Sequence, residues 1–234
     1  LSVNSVLNQK YKNTEIIIID DENSNHSKKI LNILKKKNKK IKIITNKMNI
    51  GVAKSRNKGI KFSKGKLIAF LDSDDLWHKN KLKEQINLIN KNRIDVCYTN
   101  YSVINKNKIL YKIKSPKSLI YSEFLKECPI SCSSVLLRKN VFRKIKFRDL
   151  KTKEDYMLWL DLSKQGFKFN GLNKYFTFYR IRSGSLSGKH FVKLCSTFKI
   201  YFNYLNYNLI YSLGYTLRLY INATIKKYLK RIKI

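Results

Sequence analysis

The sequence predicts an α/β fold, a mostly parallel sheet flanked by helices with a helical appendage at the C-terminal end, on three observations. Short apolar runs recur at 15–19, 41–44, 66–71 and 95–104, separated by stretches whose apolar residues have helical spacing; this alternation builds parallel sheets with right-handed crossovers. Two of these runs, EIIIIDD and KLIAFLDSDD, stop abruptly in carboxylates, and open α/β sheets bind ligands outside the carboxyl ends of their strands. Finally, the 43% hydrophobic share of 234 residues suffices for a packed core.

From the N-terminus, residues 2–9 place Val3, Val6 and Leu7 on one helical face, and 10–13 turn out of it. Residue 1 is Leu rather than Met, inside that helical pattern, so the chain is expected to lack its true start. The first strand ends at Asp20 and Asp21. Ser24 or Asn25 is placed to cap the next helix, whose buried face is expected to be Ile30, Ile33 and Leu34. After the strand at 41–44, NKMNIGVAKSRNKG opens another helix. Gly51 there is free to take positive φ. Arg56, a turn further on, offers a planar fork to a phosphate or carboxylate; a solvated arginine is the plainer alternative.

The stretch KLIAFLDSDDLW has the look of a strand buried on both faces, Leu67 to Leu71, with Asp72, Asp74 and Asp75 emerging at its end. Three acids so close repel one another unless a cation sits among them. Hard divalent ions such as Mg²⁺ or Mn²⁺ take carboxylate oxygens and keep positions open for water and phosphate. The same residues also suit an ordinary turn in which Ser73 or Asp75 caps the following helix. That helix carries Leu82, Ile86 and Ile89, and leads to the strand at 95–104.

Residues 105–117 are polar and lysine-rich, a loop or short hairpin. A strand at 132–137 and a short helix opening at Val141 and Phe142 follow. KEDYMLWLDLSKQG predicts a helix with Met157, Leu158, Trp159 and Leu162 on its buried side, and with Glu154 and Asp155 in its first turn. The helix dipole favours acids there and lowers their pKa. They serve as dipole partners alone, or one of them is held to take a proton. Residues 167–169 and 175–181 suggest two aromatic-rich strands, ending in Arg180, Arg182 and a loop at 183–188.

From His190 the composition changes, and the expected division is a domain at 1–189 and a helical tail at 190–234. Leu209, Leu213, Leu217, Ile221, Ile225 and Leu229 recur every four residues, and Lys226, Lys227, Lys230 and Arg231 finish the stripe. Arg218 and Asn222 interrupt any spanning segment. The pattern suits a basic amphipathic anchor lying on an anionic membrane surface, and equally a helix packed on the domain or on a second subunit.

Fifty Lys and Arg against fifteen Asp and Glu give a formal charge of +35, which favours anionic partners. The lysines are spread along the chain among many Asn and Ile, as A/T-rich codons also produce, and no nucleic-acid-binding motif accompanies them, so a specific nucleic acid is not an expected partner. Cys97, Cys128, Cys132 and Cys195 form no CxxC pair and have no His at zinc spacing, which predicts free thiols in a reducing compartment.

Three segments, NQKYKNTEIIIIDD, NIGVAKSRNKGIKFSKGKLIAFLDSDDLW and KEDYMLWLDL, resemble in order and spacing the glycosyltransferase family 2 enzymes of Rossmann-like GT-A fold, over about residues 2–190. The resemblance implies an inverting transferase that moves a sugar from a nucleotide-diphosphate donor to an acceptor hydroxyl, in bacterial surface polysaccharide or lipopolysaccharide synthesis. The acceptor is a glycan or lipid-linked, and the enzyme is cytoplasmic and peripheral on the inner face of the cell membrane. It implies that Asp20, Asp21, Gly51 and Arg56 line the donor pocket, that Asp72 and Asp74 hold a divalent metal (Mg²⁺ or Mn²⁺) and the donor, and that Asp155 is the catalytic base. Glu154, Trp159 and Arg182 are candidate acceptor or phosphate contacts. The chain departs from the family in three places. The opening strand, roughly 20 residues with its half-helix, would precede residue 1. DDENSN replaces the usual DDGS. Arg182 stands where a His is common, so a metal ligand from that loop is not carried over. A non-catalytic remnant of the same fold is the alternative the missing strand supports.

Overall fold

The computed structural model describes residues 1–38, 40–106, 108–181 and 190–231. The elements, in order, are α1 (Ser2–Leu7), β1 (Ile16–Asp20), α2 (Asn25–Lys37), β2 (Ile41–Thr45), α3 (Val52–Phe62), β3 (Leu67–Ala69), β4 (Leu76–Trp77), α4 (Lys81–Asn92), β5 (Val96–Asn105), β6 (Lys108–Ile113), β7 (Ser118–Leu119), α5 (Tyr121–Phe124), β8 (Val135–Arg138), α6 (Glu154–Lys164), β9 (Phe169–Arg180), α7 (His190–Lys199) and α8 (Leu209–Arg231).

The α/β class and the flanking helices are as expected; the strand polarity differs. β1 and β2 form a parallel pair of their own, and β5 runs parallel to β9. The ladders β3–β8, β5–β8, β5–β6, β4–β9 and β7–β9 are antiparallel. β6 folds straight back on β5 as a hairpin, and β8 enters between β3 and β5 from a single 3₁₀ turn, Cys132–Ser134. Neither has the crossover helix that a parallel neighbour requires. Among the described residues β1 and β3 share no ladder, and an open cleft lined by Ile17, Ile19, Leu67 and Ala69 runs between them.

The core lies under β5, β8 and α6. Val96, Val135, Leu137, Met157, Trp159, Leu160 and Leu162 have no measurable exposure, and residues 156–160 of α6 are all buried, so that part of the helix is enclosed on every side rather than on one stripe. Ile200, Tyr201, Leu205 and Leu219 from the C-terminal helices belong to the same cluster. Around β1 the packing is thinner. Ile30 and Ile33, expected to be buried, are 46% and 55% exposed, and Leu31 faces inward instead; a two-stranded sheet covers only a narrow strip of a helix.

The two aromatic strands predicted near residues 167 and 181 are one strand, β9. Gly171 is the reason the pattern looks broken: a Cβ there would stand 2.3 Å from the Pro116 carbonyl, so only glycine admits that close approach. Behind the acidic turn lies a buried polar network. The Lys81 ammonium donates to Gln85 Oε1 at 2.8 Å and sits 4.1 Å over the Trp77 ring, while Gln85 Nε2 donates to the carbonyls of Cys97 and Ser134. All four cysteines are free, with only Cys195 exposed; burial pushes the Cys97 and Cys128 thiols up to about 12.

Candidate active site

Both acid-terminated strands end in the same cleft, an open cavity of about 2690 Å³. At the end of β1 the two acids divide. Asp20 is 6% exposed, and its oxygens accept from the Asn23 amide and the Ser27 hydroxyl, securing the start of α2, which Ser24 caps. Its carboxylate is thus given to the helix and is not among the cleft-lining groups. Asp21 does line the cleft. Its Oδ1 accepts from the Ile50 amide and Asn46 Nδ2, both at 2.8 Å, and its Oδ2 accepts from the Gly51 amide at 2.9 Å. Burial raises the Asp21 pKa, but the bonds from Ile50, Asn46 and Gly51 outweigh it and hold the group below its ordinary value. Gly51 takes φ +85° at the start of α3, as predicted.

At the end of β3 the acids meet arginines. Arg56, one turn into α3, is no solvated side chain: only 11% of it is exposed, and it donates to Asp72 Oδ1 at 2.7 Å and to Glu154 Oε1 at 2.6 Å. These neighbours hold it charged despite the burial. Arg180, 106 positions beyond Asp74, closes the other side. Its side chain donates to the Asp74 and Lys106 carbonyls, and its amide donates to Asp75 Oδ1 at 2.9 Å. Asp75 is wholly buried, and burial lifts its carboxyl to about 7. Ser133 steadies the turn as well: its hydroxyl accepts from the Asp72 amide, and its carbonyl from the Trp77 indole.

The third group comes from α6. Lys153, in the left-handed region at φ 66°, precedes Glu154 and Asp155 and turns the chain into the helix. The sequence predicts lowered pKa values for these two acids; the structure corrects this, because burial wins over the helix dipole. Burial raises both, each is further raised by a neighbouring carboxylate, and Arg56 opposes the shift in each. Asp155 Oδ1 accepts from the Tyr156 amide at 2.7 Å.

Asp21, Gly51, Arg56, Asp72, Asp74, Glu154 and Asp155 therefore line one cleft, with Arg56 joining the β3 turn directly to the start of α6. Trp159 does not reach it. The ring is fully buried and packs edge-on against Phe169, which corrects its assignment as an acceptor contact: on an enclosed helix a residue one turn beyond Asp155 faces the core. Arg182 lies outside the described residues. Arg180 and Ser133 hold the acidic turn in ways the sequence does not signal, Arg180 from the end of β9 and Ser133 from the 3₁₀ turn before β8.

The cleft offers a divalent cation two carboxylates, and among the described residues no cluster of three metal-ligating side chains occurs. The Asp72 side chain is 40% exposed, with Oδ1 engaged by Arg56. Two carboxylates suit an ion that completes its shell with substrate phosphates and water.

Comparison with known proteins gives concordant findings. The family described as Glycosyl transferase family 2 matches residues 2–146. The chain is 37% identical over 195 residues to the Escherichia coli UDP-Glc:alpha-D-GlcNAc-diphosphoundecaprenol beta-1,3-glucosyltransferase WfgD, covering 82% of this chain and 76% of that protein. It is 32% identical to the putative teichuronic acid biosynthesis glycosyltransferase TuaG of Bacillus subtilis, covering 86% and 80% respectively. Among solved structures, S. aureus TarS with UDP-GlcNAc superposes with a TM-score of 0.68 at 20% identity, over 85% of this chain and 61% of TarS 1-349. The mannosyltransferase PcManGT of Pyrobaculum calidifontis, in complex with GDP-Man and Mn²⁺, superposes with a TM-score of 0.67 at 9% identity, over 93% and 63%. The chain thus spans about three-fifths of the length of these solved chains, and the likeness to them is one of fold.

Proposed function

The chain belongs to glycosyl transferase family 2, and from that membership we propose that it transfers a sugar from a nucleotide-diphosphate donor to a hydroxyl of a lipid-linked acceptor, in bacterial surface-glycan synthesis at the inner face of the cell membrane. The observation that carries this reading is the Arg56 bridge, which fixes the acids of the β3 turn and those of α6 about one cleft. On one side Asp72 and Asp74 would hold Mg²⁺ or Mn²⁺ together with the donor diphosphate. The metal supplies charge neutralisation of the leaving diphosphate. Asp21 and Gly51 shape the wall where the nucleotide lies.

Asp155 removes the proton from the acceptor hydroxyl as it attacks the anomeric carbon, and the diphosphate departs from the opposite face; one displacement gives one inversion. A carboxyl raised by burial suits this work, since a base acts best with a pKa nearer the working pH. Because the base acts deprotonated, the rate falls as pH drops through that raised value. Glu154, paired to Arg56, positions the start of α6 rather than sharing the proton.

Transfer from UDP-glucose to an N-acetylglucosamine-diphosphoundecaprenol acceptor, the pair named for the E. coli relative, is the first assay, followed by a panel of other nucleotide sugars with Mn²⁺. The Asp155→Asn protein is expected to bind UDP as the parent does and to transfer roughly a thousandfold more slowly. Parent-like transfer by that variant overturns the base assignment, and a parent inert with every donor overturns the reading.

A further inference from the structure

The C-terminal helices leave an apolar surface uncovered. Along α8, Ile210, Leu213, Leu217, Ile221 and Ile225 are between 43% and 79% exposed. Their spacing of three and four residues aligns them on one face. The opposite face, carrying Ser212, Thr216 and Leu219, is the buried one. The helix therefore turns its most apolar side outward, the reverse of a surface helix on a protein that works in water alone. Against α7 this face borders a groove of about 630 Å³, lined by Leu194, Phe198, Leu213, Gly214 and Leu217, with Lys199 beside them.

The chain's charge selects what covers this face. At +35, two copies repel each other, whereas an anionic surface attracts. The last turns of α8 read KKYLKR, the composition that holds an amphipathic helix on anionic lipid. Among the described residues no helix is long and apolar enough to cross a membrane, and a non-spanning helix with one apolar face and basic residues is of the kind that lies along a lipid surface. Its inner side carries Leu219, Asn222 and Ala223, which line the same cleft as Asp155. One helix diameter, about 10–12 Å, thus separates the apolar face from the cleft.

We propose that the outer face of α8, with its groove against α7, docks on an anionic lipid bilayer and brings the catalytic cleft to an acceptor carried in that bilayer; the second half rests on the lipid-linked acceptor reading, the docking itself does not. The test is co-sedimentation of the whole chain with vesicles of equal parts phosphatidylcholine and phosphatidylglycerol, against phosphatidylcholine alone. The parent is expected to sediment with the anionic vesicles. The double variant Leu217→Asp, Ile221→Asp, at exposed positions, is expected to keep the parent's melting temperature and lose at least about tenfold in partition. Gly214→Leu should bind more tightly than the parent, because a side chain there enters open space and adds apolar area. A parent that ignores anionic vesicles, variants that partition as the parent does, or a parent dimer that the double variant dissociates would each overturn the docking. Vesicle binding by a parent inert with every donor would leave the docking standing and sink the transferase reading instead.

Discussion

The two strands that end in acids, β1 and β3, look alike in sequence and are used oppositely. At β1 the carboxylates accept from backbone amides and small side chains: Asp20 secures α2, and Asp21 ties down the turn at Gly51. At β3 they meet guanidinium groups and burial, with Asp72 on Arg56 and Asp75 sealed beneath Arg180. Hydrogen bonds to an anion lower its pKa and burial raises it, so Asp21 moves down and Asp75 up. The first turn is built to be charged and rigid. The second stores, next to Asp72 and Asp74, a carboxylate that prefers to stay neutral.

Four substitutions sharpen or break this contrast. Asp72→Asn keeps an oxygen for Arg56 but removes the charge proposed to hold the metal and donor, and transfer should fall by roughly a thousandfold, measured at saturating donor. An equal loss from Asp21→Asn would erase the distinction between the two turns. Arg56→Met leaves Glu154 buried and unpaired beside Asp155; denaturant unfolding should show a loss of about 3–5 kcal/mol.

Asp75→Asn should stabilise the protein by about 2–4 kcal/mol at pH 8 and far less at pH 4. The sign follows from the shift. A carboxyl raised from 3.8 to about 7 in the folded state contributes stability below its unfolded pKa, and that contribution is lost as pH rises to about 7. Asp21→Asn has the smallest effect and the reverse sign, costing about 1–2 kcal/mol at neutral pH. Asp21's contribution is present above its unfolded pKa and disappears as pH falls through the lowered folded value. Thermal melts of both variants across pH 4 to 8 check the pair; parallel profiles would refute the opposition.

The alternation of strands and helices was legible in the sequence because it depends on residues near in the chain; that Asp21, Gly51, Asp72, Asp74 and Asp155 share one cleft was implied by the family resemblance, since it joins residues far apart in the chain. What was not legible depends on distant partners. The dipole argument for Glu154 and Asp155 is sound locally, yet it fails because the acids are buried by elements packed around α6, which the helix's own sequence does not disclose. β9 looked like two strands because Gly171 serves the Pro116 carbonyl, 55 positions earlier. Arg180 showed nothing of its grip on the acidic turn. Ile30 and Ile33 follow a helical stripe whose partner surface around β1 is too narrow to cover them.

The cysteine arrangement has a practical consequence. A maleimide reacts with thiolate, and at neutral pH the raised thiols Cys97, Cys128 and Cys132 offer almost none. Cys195 is exposed and lines the groove between α7 and α8. Residues 1–234 therefore carry a single addressable position for a fluorophore or spin label, set in the surface whose occupant is in question, with no mutation needed to install it.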